Sequence, residues 1–312
     1  MESFILSFHS IAPLFILMFL GYMLKKTKLL NKTICDGTNK VIFKIFLPTL
    51  LFYNIYKTDL GSVFDGNLIL FTLLGVLTVF ILSYFTVIHV TKDNAKRGVM
   101  LQGFFRSNYA ILGLPLITYI CGEDSGGLSS LMVAVIVPFF NVLAVIALER
   151  FRDGQINIKK LLKGIVTNPL IIGCACGGLL LVSGITLPSF LEKSVKDVAS
   201  IASPLALVVL GGSFSFSQIK EGIKELIITV TARLVVIPLV MISIAAVLGF
   251  RGEALACIMV AFGSPVAVSS FTMAQQMGGD EKLAAEVVVV SSAACLITFF
   301  VWIFALDSFG LF

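Results

Sequence analysis

Long apolar stretches follow one another along almost the whole chain, with short polar connections between them. Since 58% of the 312 residues are hydrophobic and only 13% are charged, the composition argues against a water-soluble enzyme core. An α-helix needs about 20 mostly apolar residues to cross a bilayer, and we place ten such stretches. They are residues 3–24, 35–56, 67–90, 98–121, 127–148, 164–183, 195–216, 223–248, 254–277 and 283–306. We therefore predict an all-α polytopic membrane protein with ten transmembrane helices.

The two halves of the chain show weak internal symmetry. Pro169 follows Pro13, and Pro204 follows Pro48, at the same offset of 156 residues. The glycines eight residues after the first proline pair correspond as well: Gly21 and Gly177. We predict two five-helix repeats, residues 1–150 and 164–312, joined by a cytoplasmic linker at residues 151–163. With five spans in each half the second repeat enters from the opposite side, and such an inverted repeat is typical of secondary transporters.

Lysine and arginine side chains concentrate in alternate connections, which predicts the orientation because short cationic loops stay on the cytoplasmic side. One set of loops holds Lys25, Lys26, Lys28, Lys32, Lys92, Lys96, Arg97, Arg150, Arg152, Lys159, Lys160, Lys163, Lys220, Lys224 and Lys282. The other holds Lys57, Lys193, Lys196 and Arg251. We expect a multi-pass protein of the cell membrane with both termini outside. The net charge of +5 is then a topology signal, and no nucleic-acid partner is expected.

The residue types needed for cofactor or enzyme chemistry do not form a recognisable set. The six cysteines are scattered through apolar stretches, and the one close pair, Cys174 and Cys176, has no histidine nearby. We expect these thiols to pack in the core, with no metal and no cofactor. An intramembrane enzyme is the first rival interpretation, but paired membrane aspartates, a zinc motif and a nucleophile turn are all missing from the sequence. We expect no enzymatic activity.

Polar residues and helix breakers lie near the middle of the fourth and ninth predicted spans, which occupy equivalent places in the two repeats. The fourth span contains Arg106, Ser107, Asn108, Tyr109, Gly113 and Pro115, and the ninth contains Gly263, Ser264, Pro265, Ser269 and Ser270. We predict that Asn108, Gly113 and Pro115 break the fourth span and that Gly263 and Pro265 break the ninth. Proline frees backbone groups that hydrocarbon cannot satisfy, so those groups must face protein, water or substrate.

Two interrupted helices that cross at mid-membrane would point the N-termini of their second halves into one small volume. Free amide groups and a partial positive charge at each N-terminus favour an anion there. The alternative is that the prolines only kink the helices for packing, but two breaks beside serine or asparagine in equivalent spans favour a binding site. The charge of Arg106 has two open interpretations, a carboxylate ligand or a member of a structural ion pair.

Short motifs along the chain carry a family resemblance. They are Asn39-Lys40 before Pro48, Asn108 with Gly113-Leu114-Pro115, Pro138-Phe139-Phe140-Asn141, Asn168-Pro169, Pro204-Leu205-Ala206-Leu207 with Gly211, Arg233 with Pro238, and Pro265 followed by Ala274-Gln275-Gln276. In this order and spacing the chain resembles the auxin efflux carriers and their bacterial PIN-like relatives, within the bile acid and auxin carrier superfamily. The resemblance spans nearly the whole chain.

The resemblance implies a ten-helix inverted repeat like that of the bile-acid sodium symporters. Spans 1, 2, 6 and 7 would form a scaffold through which a homodimer assembles, and spans 3–5 and 8–10 a moving transport domain with spans 4 and 9 crossing at its centre. Family substrates are small organic anions, auxin in plants and dicarboxylates such as malate or malonate in bacteria. Asn108, the residues around Pro265, and Asn141 would hold the carboxylate. The resemblance to plant members is incomplete at the fourth-span break, where they have a Pro-Asn pair and this chain has Ser107 before Asn108. We therefore do not assume an indole-shaped pocket.

The predicted substrate site comprises Arg106, Ser107, Asn108, Tyr109, Asn141, Ser264, Pro265, Ser269 and Ser270. No acidic residue falls beside either break, so the coupling ion, whether a proton, sodium or none, is left open. Lys40, Lys44 and Arg233 are further cations within predicted spans. We predict a carrier of small organic anions in the bilayer that works by elevator-type alternating access. The alternative is a channel or a receptor that binds a small ligand at the crossing.

Overall fold

The structure is a computed structural model that describes residues 2–58, 64–122, 127–152, 158–214 and 222–312. These residues form α-helices and no β-strand, as predicted for the fold class. The helices are α1 (Glu2–Lys26), α2 (Lys32–Val41), α3 (Leu47–Tyr56), α4 (Gly66–Val90), α5 (Asn94–Phe105), α6 (Tyr109–Cys121), α7 (Gly127–Arg152), α8 (Ile158–Val166), α9 (Pro169–Ser183), α10 (Ser189–Ser213), α11 (Ile223–Thr231), α12 (Ile237–Val247), α13 (Gly252–Gly263), α14 (Ser269–Met277) and α15 (Glu281–Ser308).

Several helical runs in this part of the chain are long and apolar enough to cross a bilayer. Five runs meet both criteria: Gly66–Val90, Gly127–Arg152, Ser189–Ser213, Ile223–Val247 and Glu281–Ser308. Each has 25 to 28 residues, more than the roughly 20 that a bilayer requires. The fold is therefore that of a multi-pass membrane protein.

Helices extend beyond two of the predicted boundaries. The seventh predicted span begins at residue 195, whereas α10 begins six residues earlier, at Ser189 after Pro188. Residues 215–216 of that span lie outside the described residues. The predicted linker, residues 151–163, contains helix at both ends, because α7 continues to Arg152 and α8 begins at Ile158; residues 153–157 lie outside the described part. Hydropathy marks where a helix meets lipid, and helices often continue beyond that limit with polar turns.

Two helical runs contain a π-helical segment that ends two residues before a proline. Ile42–Phe46 joins α2 to α3 ahead of Pro48, and Ala232–Val236 joins α11 to α12 ahead of Pro238. Proline lacks an N–H and clashes with the carbonyl four residues earlier, so a widened turn accommodates it without ending the helix. At the second site the carbonyl of Leu234 accepts the indole N–H of Trp302 at 3.3 Å.

Glycines bring two pairs of helices into close contact. A Cβ on Gly21 of α1 would lie 2.0 Å from the carbonyl oxygen of Val208 in α10. A Cβ on Gly177 of α9 would lie 2.7 Å from the carbonyl oxygen of Phe52 in α3. Gly177 follows Gly21 by 156 positions and Val208 follows Phe52 by 156 positions, the offset of the proline pairs. The same contact is thus made at corresponding places in the two halves.

Two short helices lie in the protein interior. All residues from Gly98 to Phe105 in α5 and from Leu255 to Gly263 in α13 are buried. By contrast, α4 exposes large apolar side chains such as Leu82 and Phe85. A helix that faced lipid would show such an exposed side, so α5 and α13 are enclosed by other helices.

Candidate functional site

The fourth and ninth predicted spans are both interrupted, and the two interruptions touch. The first break is Arg106-Ser107-Asn108, between α5 and α6, and the second is the segment 264–268, between α13 and α14. Ser107 and Val266 form an antiparallel bridge. The backbone N–H of Asn108 donates to the carbonyl of Pro265 at 2.9 Å. Backbone groups that leave the helical pattern in one break are thus partly satisfied by the other, as a buried segment requires.

Of the residues predicted to break the fourth span, Asn108 lies at the break and Gly113 and Pro115 do not. Gly113 and Pro115 lie inside α6, so the expectation that they interrupt the fourth span is wrong. The chain leaves the helix at Arg106, whose backbone is extended at φ −81° and ψ 111°, and the next helix begins after Asn108. An interior proline removes only one helical hydrogen bond, whereas the break occurs where the backbone pairs with another segment. In the second break, Gly263 is the last residue of α13 and Pro265 lies between the two half-helices.

A cavity of about 60 Å³ lies against both breaks. Its walls include residues at the start of both second half-helices, Ala110 and Ile111 in α6 and Ser269 in α14. Its other lining residues are Leu47, Leu50, Leu51, Asn54, Arg106, Ser107, Asn108, Val137, Phe140, Asn141, Leu170, Ser203, Ala206, Ala267 and Val268. The volume is well below the roughly 300 Å³ at which drug-sized pockets begin, so it suits only a small ligand.

Arg106 places a guanidinium group at this cavity while being only 3% exposed. One nitrogen, Nη2, donates to Asn141 Oδ1 at 2.6 Å and to Ser269 Oγ at 2.8 Å. The other, Nη1, contacts the sulfur of Met273. All of these partners are neutral, and among the described residues no carboxylate pairs with Arg106. A buried charge is costly without an opposite charge, so this site favours an anion.

Asn141 links α7 to the first break. It is 1% exposed, and besides accepting from Arg106 its amide nitrogen donates to the carbonyl of Val137 at 2.8 Å. The second bond fixes the side-chain orientation so that Oδ1 faces the arginine. Asn141 therefore bonds to the first break, and it also lines the cavity.

Several polar atoms at the breaks are buried without a hydrogen-bond partner in the described structure. They include the amide nitrogen of Asn108 and the hydroxyls of Ser264 and Ser270. An unpaired buried donor costs about 1–3 kcal/mol, so such atoms concentrate where another requirement outweighs stability. Asn108 is the one of the three that lines the cavity.

The predicted site residues divide into two groups. Arg106, Ser107, Asn108, Asn141 and Ser269 line the cavity together. The other predicted residues do not line it: Tyr109, Ser264, Pro265 and Ser270. Tyr109 is fully buried and its ring covers Gly113, where a Cβ would lie 2.8 Å from Tyr109 Cε1. These four residues lie in or next to the breaks, away from the cavity.

Sequence reasoning missed two polar residues that line the cavity, Asn54 in α3 and Ser203 in α10. Asn54 lies in a mostly apolar helix, and Ser203 precedes one of the repeat prolines, Pro204. Those were the available signals. Isolated serines and asparagines are common in membrane helices, so position alone did not distinguish these two.

Two positions of the family-like motifs meet away from the cavity. The amide nitrogen of Asn39 in α2 donates to Gln275 Oε1 in α14. Gln275 Nε2 in turn donates to Asp36 Oδ1 at 2.8 Å and to Glu281 Oε2 at 3.1 Å. This polar cluster connects α2 with the end of α14, beside a second cavity of about 280 Å³.

Long apolar helices, two breaks that meet in the protein interior and a small polar cavity at their meeting are features of a membrane transport protein. A family model described as membrane transport protein matches residues 6–303. The chain belongs to this family, the auxin efflux carrier family.

Two archaeal proteins are similar over nearly their whole length. An uncharacterized transporter of Methanocaldococcus jannaschii is 25% identical over 297 residues, covering 92% of this chain and 94% of that protein. An uncharacterized transporter of Methanothermobacter thermautotrophicus is 22% identical over 300 residues, covering 95% of this chain and 97% of that protein. These similarities indicate a transporter and do not name a substrate.

Proposed function

We propose that the protein is a secondary transporter of small organic anions, mono- or dicarboxylates such as malate, malonate or auxin-like acids. The observation that carries this proposal is the guanidinium of Arg106, which lies at the cavity with neutral partners only. A carboxylate can take two parallel hydrogen bonds from a guanidinium, and its charge would offset that of the arginine. Asn108 offers the ligand a further donor, since its amide nitrogen is unpartnered.

The cavity lies between two groups of helices, which suits alternating access. One wall comes from α3, α9 and α10, and the opposite wall from α6, α7 and the two breaks. In the proposed mechanism α1–α3, α9 and α10 form a scaffold, and α4–α7 with α11–α15 form a transport domain that slides past it. An elevator movement would then expose the site to each side of the membrane in turn.

The repeated glycine contacts, Gly21 with Val208 and Gly177 with Phe52, support a ten-span inverted repeat. We propose the divisions 1–150 and 164–312 for its halves, with both termini outside, and a homodimer assembled through the scaffold helices. In this arrangement the breaks at 106–108 and 264–268 occupy equivalent positions in the two halves.

The proposal is tested by transport with purified protein in liposomes. Labelled malonate, malate and indole-3-acetate are offered separately, and uptake and counterflow are measured. We expect saturable uptake and counterflow for at least one of them. Uptake without saturation or counterflow would indicate a channel, and binding without uptake would indicate a receptor.

The role of Arg106 is tested in the same assay with Arg106→Gln. Losing a charged partner of a buried carboxylate costs about 2–5 kcal/mol, so kcat/KM should fall about 100-fold. The matched control is Arg150→Gln, because Arg150 bonds to the Tyr84 hydroxyl and does not line the cavity. Equal uptake by Arg106→Gln and the control variant would remove Arg106 from the site.

A further inference from the structure

A second buried arginine lies at the crossing of the half-helices. Arg233 is 0% exposed, and among the described residues its guanidinium donates hydrogen bonds only to backbone carbonyl oxygens. Nε donates to Ser264 at 2.8 Å and Nη2 to Ala261 at 2.9 Å. Nη1 donates to Phe104 at 3.3 Å and to Phe105 at 3.2 Å.

These four carbonyls belong to the ends of the two first half-helices. Phe104 and Phe105 close α5, while Ala261 lies in the last turn of α13 and Ser264 follows it. The C-terminus of a helix carries a partial negative charge and carbonyls without helical partners. In carriers with broken helices, such half-helix ends and unwound carbonyls are where a coupling sodium ion is held. In this protein the guanidinium of Arg233 supplies the positive charge at these oxygens.

The local structure fixes Arg233 in this position. It lies in the π-helical segment Ala232–Val236, which ends two residues before Pro238. The carbonyl of Leu234, which the proline deprives of its helical partner, is held by Trp302. π-Helical turns are frequent at functional sites because they redirect one side chain within a continuous helix. The arginine is therefore a permanent part of the crossing.

We propose that Arg233 is a built-in cation that replaces a coupling sodium ion at the crossing, so that transport does not require sodium. This assignment rests on the proposed carrier function and deepens it. Removing the guanidinium would leave the oxygens of Phe104, Phe105, Ala261 and Ser264 facing one volume, beside the unpartnered Ser264 hydroxyl. Hard oxygen ligands of this kind suit a small monovalent cation, so an Arg233→Gln variant should acquire sodium binding.

The test measures sodium binding directly, with no transported carboxylate present. Equilibrium binding of ²²Na⁺ and the Tm are recorded for purified protein in sodium chloride and in choline chloride at equal ionic strength. The wild type should show no saturable sodium binding and the same Tm in both salts. Arg233→Gln should have a Tm lower by about 10 °C, of which sodium but not choline restores several degrees with saturation. If Arg233 had only a structural role, Arg233→Gln would lower the Tm, and sodium would restore it no better than choline.

The matched control is Arg251→Gln. Arg251 also donates to backbone carbonyls, those of Ala246 and Phe250, each at 2.7 Å, but it is exposed. Its Tm should be the same in both salts. The proposal is overturned if the wild type binds sodium saturably, or if Arg233→Gln shows no sodium-specific effect.

If Arg233→Gln cannot be purified, the wild-type sodium measurement decides, and Arg233→Lys supplies a second variant that keeps a charge and should bind no sodium. Failure of the carrier function has a different signature, the absence of uptake of any carboxylate by the wild type. The two failures are therefore distinguishable.

Discussion

The two buried arginines of the crossing, Arg106 and Arg233, have opposite kinds of partners. Arg233 is held by four backbone carbonyls at the closed ends of α5 and α13. Arg106 lies beside a cavity in the break before α6. It donates to two neutral side chains, Asn141 and Ser269, and contacts the thioether of Met273. Backbone carbonyls stay in place, whereas side-chain partners can rotate aside when a ligand arrives. The comparison indicates that one arginine builds the crossing and the other meets the substrate.

The comparison is tested most strongly by replacing each arginine with lysine. A lysine at position 106 keeps the charge but cannot present a planar fork to a carboxylate, so kcat/KM for the transported anion should fall about 30-fold with little change in Tm. The matched variant Arg233→Lys should instead lower the Tm by about 5 °C. Uptake kinetics and thermal scans of both variants check this. The same pattern of effects in the two variants would contradict the distinction.

A smaller effect is expected for Asn108→Ala. Its amide nitrogen is buried without a partner, and its side chain makes no capping bond to α6. Removing it should leave the Tm unchanged or raise it slightly, while uptake falls about tenfold because a donor to the ligand is lost. Thermal scans and initial uptake rates are measured together. Undiminished uptake would exclude Asn108 from the site.

Asn141→Ala tests whether the orientation of Arg106 matters. Without the amide oxygen at 2.6 Å the guanidinium loses one of its two fixed oxygen partners, so KM should rise about fivefold while the maximal rate changes less. The control is Asn67→Ala, an exposed asparagine at the start of α4. An unchanged KM in Asn141→Ala would show that Arg106 is positioned without it.

The smallest effect is expected for Trp302→Phe, because Trp302 bonds to Leu234, the residue that follows Arg233. This change leaves the carbonyl of Leu234 without the indole N–H and should lower the Tm by about 2–4 °C. Uptake should stay as in the wild type, because Trp302 does not line the cavity. A thermal scan with a thiol-reactive dye measures the shift. A loss of uptake without a change in Tm would contradict the distinction between Arg233, which builds the crossing, and Arg106, which meets the substrate.

Much of the helical fold could be predicted because a bilayer forces apolar stretches into helices and makes midspan prolines informative. The location of the second break around Pro265 was visible for that reason. The first break lies at residues 106–108 and not at Pro115, because its position depends on backbone pairing with a segment more than 150 residues away. The partners of Arg233 lie 28 to 129 residues away in sequence. Spacing along one helix carries no information on such contacts.

The central claim is that the cavity beside Arg106 binds a small carboxylate. The most direct measurement is a density map of the protein in lipid, prepared with the carboxylate that gives the highest uptake. We expect ligand density in this cavity with a carboxylate oxygen about 3 Å from the guanidinium of Arg106. Ligand density elsewhere, with Arg106 still bonded to Asn141, Ser269 and Met273, would contradict the claim.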